Sequence, residues 1–454
     1  MTVRRKSIHG QWSSRWAFIL AATGSAVGLG NIWRFPYITG ENGGGAFVII
    51  YVLCVLIVGI PIMIAEIMLG RRGRQSPINT MYTLAEEEGH STNWQYLGWM
   101  GVVAGFLILS FYSVVAGWTI DYVFRSGSGV FTLATDNEIA DIFAALLSNP
   151  ERLLAWHTLF MSLTVVVVSM GVQSGLERAV KFLMPTLFIL LVIMVGYAMS
   201  TTGFMEGVTY LFKPDFSRLT SDPEVVLAAL GQAFFSLSLG MGAIMVYGSY
   251  LPRNTSIART TFTIAIMDTL VAILAGLAVF PLVFTYGLET TEGPGLIFTT
   301  LPIAFGKMPY GQVFGTCFFV LLLFAAWTSA ISLLEPAVAW LVENRGVKRP
   351  RAAAMAGLFA WVLGLGSVLS FNKWQDVTLF GKTYFDMMDY VTSNIMLPLG
   401  GLFVAIFAAW LMSSASSRDE LHLHPVSYAC WRVIVRYIAP VGVLIIFLNA
   451  IGII

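Results

Sequence analysis

The residues whose types could do chemistry sit where a helix that only crosses lipid would not carry them. Inside an apolar stretch of spanning length lies Gly24-Ser25-Ala26-Val27-Gly28-Leu29-Gly30-Asn31-Ile32-Trp33-Arg34-Phe35-Pro36, with three glycines, an asparagine, an arginine and a proline. Glycine costs roughly 1 kcal/mol against alanine in a helix interior. A charge at bilayer depth costs ~2.5–3.5 kcal/mol even on the mildest scale. The run therefore reads as a broken helix whose freed backbone groups line a buried polar site. A second stretch, Gln232-Ala233-Phe234-Phe235-Ser236-Leu237-Ser238-Leu239-Gly240-Met241-Gly242, mixes small polar residues and glycines in the same way. The chemistry on offer is the holding of ions and polar solutes. No His/Cys metal cluster or nucleophile–base spacing is present, and His157, His422 and His424 read as loop or interface residues.

The elements that must position these stretches follow from composition. The chain has 454 residues, is 57% hydrophobic and 11% charged, against about 25% charged in globular domains, which places it in the lipid bilayer. A formal net charge of +1 argues against a nucleic-acid partner. Cys54, Cys317 and Cys430 are too scattered for a disulfide framework or a metal spacing. Arg4, Arg5, Lys6 and Arg15 resemble a signal-peptide n-region, but Arg34 and the lack of a small-residue cleavage site keep the segment in the mature chain.

Apolar segments of spanning length run over 15–38, 44–70, 94–124, 153–172, 176–200, 224–250, 258–287, 311–342, 350–370, 376–412 and 426–453, eleven in all. Pro61, Pro185, Pro281, Pro336 and Pro398 predict kinks. With the N-terminus inside, the cytoplasmic side collects Arg4, Arg5, Lys6, Arg71, Arg72, Arg74, Arg178, Lys181, Arg253, Arg259, Arg345, Lys348, Arg349, Arg351 and Arg418. The outer side collects only Arg125, Arg152, Lys213, Arg218, Lys307, Lys373 and Lys382. That asymmetry predicts a multi-pass protein of the inner (cytoplasmic) membrane, with its N-terminus cytoplasmic and its C-terminus outside. The loops 125–152, 201–223 and 287–310 then fall outside. One break in span one and one in span six mark two five-span halves of opposite topology, with the site at their interface. The expected organisation is a cytoplasmic segment 1–14, a first repeat 15–200, an inverted second repeat 224–412, and a cytoplasmic loop with the eleventh helix over 413–454.

The run Gly24 to Pro36, continued by Tyr37 and by Glu41-Asn42-Gly43-Gly44-Gly45-Ala46-Phe47, resembles the neurotransmitter:sodium symporter family. The likeness extends over nearly the whole chain, with motifs in spans one, two, six, eight and ten. It implies an all-α integral membrane protein of the LeuT-like five-plus-five inverted repeat, with helices one and six discontinuous and eleven transmembrane helices. No cofactor is implied beyond two coupling sodium ions, hard cations that want oxygen ligands. By resemblance the first sodium is held by Ala26, Asn31, Ser236 and Asp268 with the substrate carboxylate. The second is held by the carbonyls of Gly24, Val27 and Ala325 and the hydroxyls of Thr328 and Ser329. Back-bonding to the preceding helical turn is the other reading of those two hydroxyls.

A broken helix offers free N–H groups on one fragment and free carbonyls on the other, which suits the carboxylate and ammonium of one amino acid. The resemblance gives the carboxylate to the Leu29 and Gly30 amides and the Tyr112 hydroxyl. It gives the amine to the Ala26, Phe235 and Ser236 carbonyls and the Ser238 hydroxyl. Monoamine carriers of the family place an aspartate at the position of Gly28, so glycine there implies a substrate that brings its own carboxylate. Ile108, Phe235, Met241, Ser329 and Leu333 form an uncharged lining for a neutral, largely hydrophobic side chain.

Chloride-dependent relatives hold chloride with residues matching Tyr51, Gln232 and Ser236, but this chain has Asp268 and Ala272 at the remaining positions. A fixed carboxylate at Asp268 can supply the charge that chloride brings, and predicts chloride independence with proton uptake by Asp268 on the sodium-free return. A buried aspartate bonded only to neighbouring hydroxyls is the alternative. Gates are implied by Arg34 with Asp389 (or Asp386, less than a turn away), by the Tyr112–Phe235 lid, and by Trp12 with Glu343 on the inner side. The family's usual inner-gate arginine is His9 here, leaving Arg5 as a candidate partner. Glu66 is expected to anchor the unwound sixth helix, Gly175 and Pro185 to permit unwinding of span five, and Glu335 to line the inner pathway.

The reading is a sodium-coupled symporter importing a neutral amino acid, not an enzyme. The alternatives are an amino-acid sensor of the same fold, which the lack of a signalling domain disfavours, and a proton-coupled carrier, which the full sets of sodium ligands disfavour.

Overall fold

In a computed structural model the chain is described over residues 5–217, 224–288, 293–451 and 453. Arg4, Arg218 and parts of the loops 201–223 and 287–310 lie outside the described residues. The described residues are helical, without strands. Among the described residues nine helices are long and apolar enough to cross a membrane, and the bent pair Arg15–Ala26 plus Gly30–Glu41, 56° apart, is a tenth. Glu224–Ser236 and Ala243–Ser249 are the two halves of another span, which brings the number to the expected eleven.

The first break follows from its sequence. Val27 leaves the helix in extended conformation (φ −70°, ψ 107°), with its N–H closed back on Thr23 O at 2.6 Å. The chain resumes as a widened turn over Gly30–Arg34 before Pro36 enters the next helix. Two glycines are required by close approach. A Cβ on Gly28 would lie 2.7 Å from Ser329 Oγ and 2.8 Å from the Tyr112 hydroxyl, and one on Gly30 would lie 2.7 Å from the Phe235 ring. The second break turns through left-handed conformations at Ser238 (φ 54°), Gly240 (82°) and Gly242 (74°). Glycine adopts these freely, whereas serine does so at a cost that its surroundings must offset.

Around these breaks the other spans form the frame. Span eight (Gly311–Arg345) packs lengthwise along span three (Gln95–Gly127), span nine (Arg349–Ser370) lies on span four (Pro150–Ser169), and the inner half of span six lies on span two. The loops 125–152 and 287–310 carry helices of their own. Asp136–Leu147 begins with a Thr135/Glu138 capping box, in which hydrogen bonds from Thr135 hold the exposed Glu138 carboxyl below its ordinary range. Within 287–310, Leu296–Lys307 is helical, and its Phe298 packs edge-on against Trp118 and Tyr122.

One histidine needs correction. His157 is neither loop nor interface but fully buried in span four, where it joins the Ser113 hydroxyl of span three at 3.0 Å and Trp361 O of span nine at 3.2 Å. Its polar ring is satisfied inside the frame, which is what allows it at that depth. His422 and His424 do lie in the loop before the last span.

Candidate functional site

The two breaks meet. Ser238 Oγ, in the second, donates to Ser25 O, in the first, at 2.9 Å. Glu66 from span two accepts a hydrogen bond from Gly240 N at 2.6 Å, so a buried carboxylate holds the unwound strand of span six in place. Leu29 N donates to the Tyr112 hydroxyl at 3.2 Å, and Gln232 Nε2 donates to Gly30 O at 3.1 Å.

Between the breaks lies a cavity of about 30 Å³. Ala26, Leu29 and Gly30 line it from span one, Ile108 and Tyr112 from span three, Phe235, Ser238 and Met241 from span six, and Ser329 and Leu333 from span eight. Every one of these was singled out by the sequence. The space admits little more than one water, so holding a larger solute requires Phe235 or the flexible Met241 to shift. Ser25 and Ser332 also line the cavity and were missed. Ser25 Oγ donates to Ser332 Oγ at 2.7 Å, which donates to Ser329 O at 2.8 Å. The signal for Ser332 was its place one turn beyond Ser329, on the same helix face.

Two clusters of oxygen flank the cavity. In the first, Asn31 Nδ2 donates to Asp268 Oδ1 at 2.8 Å and to Ser236 Oγ at 3.1 Å, and its Oδ1 accepts from Gly28 N at 3.2 Å. Ser236 Oγ hydrogen-bonds Asp268 Oδ2, and the Tyr51 hydroxyl reaches Ser236 Oγ at 3.1 Å. Asp268 is fully buried with no cationic side chain in an ion pair with it among the described residues. In the second, Ser329 Oγ lies 3.3 Å from Gly24 O, 3.3 Å from Ser25 O and 3.2 Å from Val27 O. A hydroxyl has one hydrogen, so at most one of those three carbonyls is well served by it. Carbonyls converging in this way suit a hard cation. Thr328 Oγ1 donates to Phe324 O and Ala325 O of its own helix, both at 3.1 Å, the back-bonded arrangement, with its side chain packed beside Gly24.

Above the site, Leu29, Gly30, Tyr112 and Phe235 also border an outer cavity of about 240 Å³, so this lid separates the two spaces. Arg34 stacks over the Phe235 ring at 4.7 Å and shares that outer cavity with Asp389. Asp386 is occupied elsewhere: it caps its own helix with Thr383, its Oδ2 accepting from the Thr383 hydroxyl at 2.7 Å. Asp389, which accepts from the Ser393 hydroxyl at 2.8 Å, borders the same cavity as Arg34, while Glu41 and Glu224 share a second cavity with Arg34. Trp33, Phe111 and Phe385 add an aromatic wall that the sequence did not mark.

The end of the site away from that cavity is packed shut. Trp12 is buried, donates from its indole to Tyr247 O at 3.0 Å and packs edge-on against Tyr247 and Tyr250. It does not bond Glu343. His9 does, its Nε2 lying 3.0 Å from Glu343 Oε1. Arg5, the partner entertained from sequence, is instead paired with Glu87 at 2.9 Å, because the chain between Arg5 and His9 carries it out over the helix Pro77–Glu87. Glu335 is buried beneath, bonded to the Tyr250 hydroxyl at 2.7 Å and paired with Arg349. Gly175 sits in a widened turn, Val172–Glu177, and Pro185 in the helix that follows; beside it, Met184 packs on Gly24.

Comparison with known proteins agrees with this geometry. A family model described as the sodium:neurotransmitter symporter family matches residues 9–138 and 147–453. The chain is 41% identical over 447 residues to an uncharacterized sodium-dependent transporter, YhdH, of Bacillus subtilis, covering 98% of each chain. It is 36% identical to an uncharacterized sodium-dependent transporter of Haemophilus influenzae, over 96% of this chain and 97% of that one. Among solved structures, MhsT in complex with L-phenylalanine superposes with a TM-score of 0.90 at 43% identity, covering 97% of this chain and 99% of that chain. The fold is thus the LeuT-like one expected, the activity is transport and not catalysis, and the chain belongs to the sodium:neurotransmitter symporter family.

Proposed function

We propose that this transporter couples the inward movement of two sodium ions to import of one neutral, largely hydrophobic amino acid, without a requirement for chloride. The observation that carries the reading is the meeting of the two helix breaks around a cavity whose remaining walls are uncharged. Main-chain amides of Leu29 and Gly30 suit a carboxylate, and the carbonyl ends at Ala26, Phe235 and Ser236 suit an ammonium. Ile108, Met241 and Leu333 suit an apolar side chain, and MhsT, of similar sequence, has been crystallised with L-phenylalanine. The oxygen clusters at Asn31/Ser236/Asp268 and at Gly24/Val27/Ala325/Thr328/Ser329 are the two cation sites in this reading.

Asp268 accounts for the absence of a chloride requirement. Its carboxylate is bonded by Asn31 and by Ser236, one of the chloride-site matches, with Tyr51 beside it, and it brings the fixed negative charge itself. Carrying each cation down 100 mV releases about 2.3 kcal/mol. Two supply roughly 4.6 kcal/mol, enough for more than three decades of accumulation. The N-terminus faces the cytoplasm in this proposal, and the membrane is the inner one.

Uptake into proteoliposomes tests it. An inward sodium gradient should drive accumulation of phenylalanine or leucine. Equal uptake from potassium medium, or arginine and glutamate competing as well as leucine, would contradict it.

A further inference from the structure

We propose that the starts of spans one and seven together bind the phosphate of an anionic phospholipid, drawn from the leaflet on the side of the N-terminus. A cavity of about 430 Å³ lies between these starts. Ser14 and Arg15 line it from span one, and Asn254, Ser256 and Arg259 line it from the head of span seven (Ile257–Thr285). No carboxylate is among its described lining residues. Neither Arg15 nor Arg259 is in an ion pair among the described residues. The inference does not depend on which solute the transporter carries.

Both arginines stand at the wrong end of their helices. Arg15 is the first residue of span one and Arg259 lies in the first turn of span seven, and neither first turn holds an acid. The start of a helix is the positive pole of its dipole, so a cation there is unfavourable and an anion is favoured. The same departure at two helix starts that border one cavity is a cost that a bound anion offsets. The negative groups nearby are already taken. Glu177 accepts from Ser13 N at 2.9 Å and pairs with Lys181 at 2.6 Å. The main-chain oxygens leading into span seven point at buried arginines: Ser249 O and Leu251 O accept from Arg74 at 3.2 and 2.6 Å, and Thr255 O accepts from Arg71 at 2.5 Å. Those oxygens therefore do not oppose an anion in the cavity.

What surrounds the cavity selects a lipid over a free anion. Trp16, next to Arg15, is 62% exposed, as suits an aromatic ring at the membrane interface. Along span seven, Phe262, Ile266 and Leu270 are 46%, 64% and 45% exposed. They follow Arg259 at steps of three and four residues, so one uncovered apolar stripe runs from the cavity into the depth of the membrane. A phospholipid matches both parts, with its phosphate between the arginines and an acyl chain along the stripe. A free phosphate matches only the first. Bound there, the lipid ties the start of span one to span seven.

The test is native mass spectrometry of the full chain in detergent, titrated with phosphatidylglycerol or with phosphatidylcholine of the same acyl chains. The first phosphatidylglycerol should bind about tenfold more tightly than the first phosphatidylcholine. Arg15→Gln combined with Arg259→Gln should bring the two lipids within about twofold of each other. Lys348→Gln combined with Arg351→Gln removes the same charge from exposed positions at the start of span nine and should leave the preference unchanged. Should the paired arginine variant fail to fold, Arg259→Gln alone should reduce the preference about threefold. Inorganic phosphate should not displace the bound phosphatidylglycerol. Equal binding of the two lipids by the native chain, a preference that survives in the arginine variants, an equal loss in the Lys348/Arg351 control, or displacement by inorganic phosphate overturns the proposal.

Discussion

Ser238 Oγ donates to Ser25 O at 2.9 Å, so a side chain in one helix break is bonded to the main chain of the other. Ser238 does this from a left-handed backbone conformation that serine adopts only at a cost. The bond is worth about 0.5–1.5 kcal/mol net. Ser238→Ala should therefore weaken amino-acid binding by about threefold to tenfold at saturating sodium, measured by equilibrium binding, while leaving the fold intact by thermal unfolding.

Gly28 is the tightest point of the pocket. A methyl there meets Ser329 Oγ and the Tyr112 hydroxyl at 2.7 and 2.8 Å, closer than real Cβ contacts allow. Gly28→Ala should lower apparent substrate affinity at least tenfold, and should also raise the sodium concentration for half-maximal binding, because Ser329 abuts the Gly24 and Val27 carbonyls. An unchanged sodium dependence in a folded variant would separate the pocket from the second cation cluster.

Asp268 carries the chloride prediction. Replacing chloride by gluconate should leave uptake unchanged in the native chain. In Asp268→Asn the fixed charge is gone and Asn31, Ser236 and Tyr51 lose their ionised acceptor, which costs about 1.5–3 kcal/mol for a charged hydrogen bond. Uptake in gluconate should then fall by tenfold or more, with partial recovery in chloride.

Arg34 lies over the Phe235 ring at 4.7 Å and across a shared cavity from Asp389. Cation–aromatic contacts contribute ~0.5–2 kcal/mol. Arg34→Gln should leave equilibrium binding within about threefold and slow uptake more strongly, since the lid would close less often. Asp389→Asn should reproduce the effect, and Asp386→Asn should not.

Much of this was legible in the sequence because the bilayer leaves few choices. Gly24, Asn31 and Arg34 in one spanning stretch, and Ser236, Ser238 and Gly240 in another, are expensive in lipid unless they line a site, and both stretches do break. The pocket from Ile108 to Leu333 followed once the family pattern fixed the register. What escaped detection depends on which side chains meet across helices. The spacing of Ser332 from Ser329 marks its face but not its partner, and nothing local distinguishes His157 from a surface histidine. Each acquires its meaning from Ser25 or from Ser113 and Trp361, on other spans. The Arg5 assignment failed for a similar reason: it stands four positions before His9, and its partner acid, Glu87, belongs to a helix seventy-odd residues on. The outer helix Leu296–Lys307 was hidden by its glycine- and proline-rich surroundings, which suggest a loop although its apolar face is buried.

The most direct measurement is equilibrium binding of each of the twenty amino acids to the purified protein, in sodium and again in potassium. Neutral hydrophobic amino acids should bind in sodium and lose at least a hundredfold in affinity in potassium, with charged amino acids binding in neither. Equal binding in the two salts, or tight binding of a charged amino acid, would contradict a zwitterion held between two helix breaks beside alkali cations.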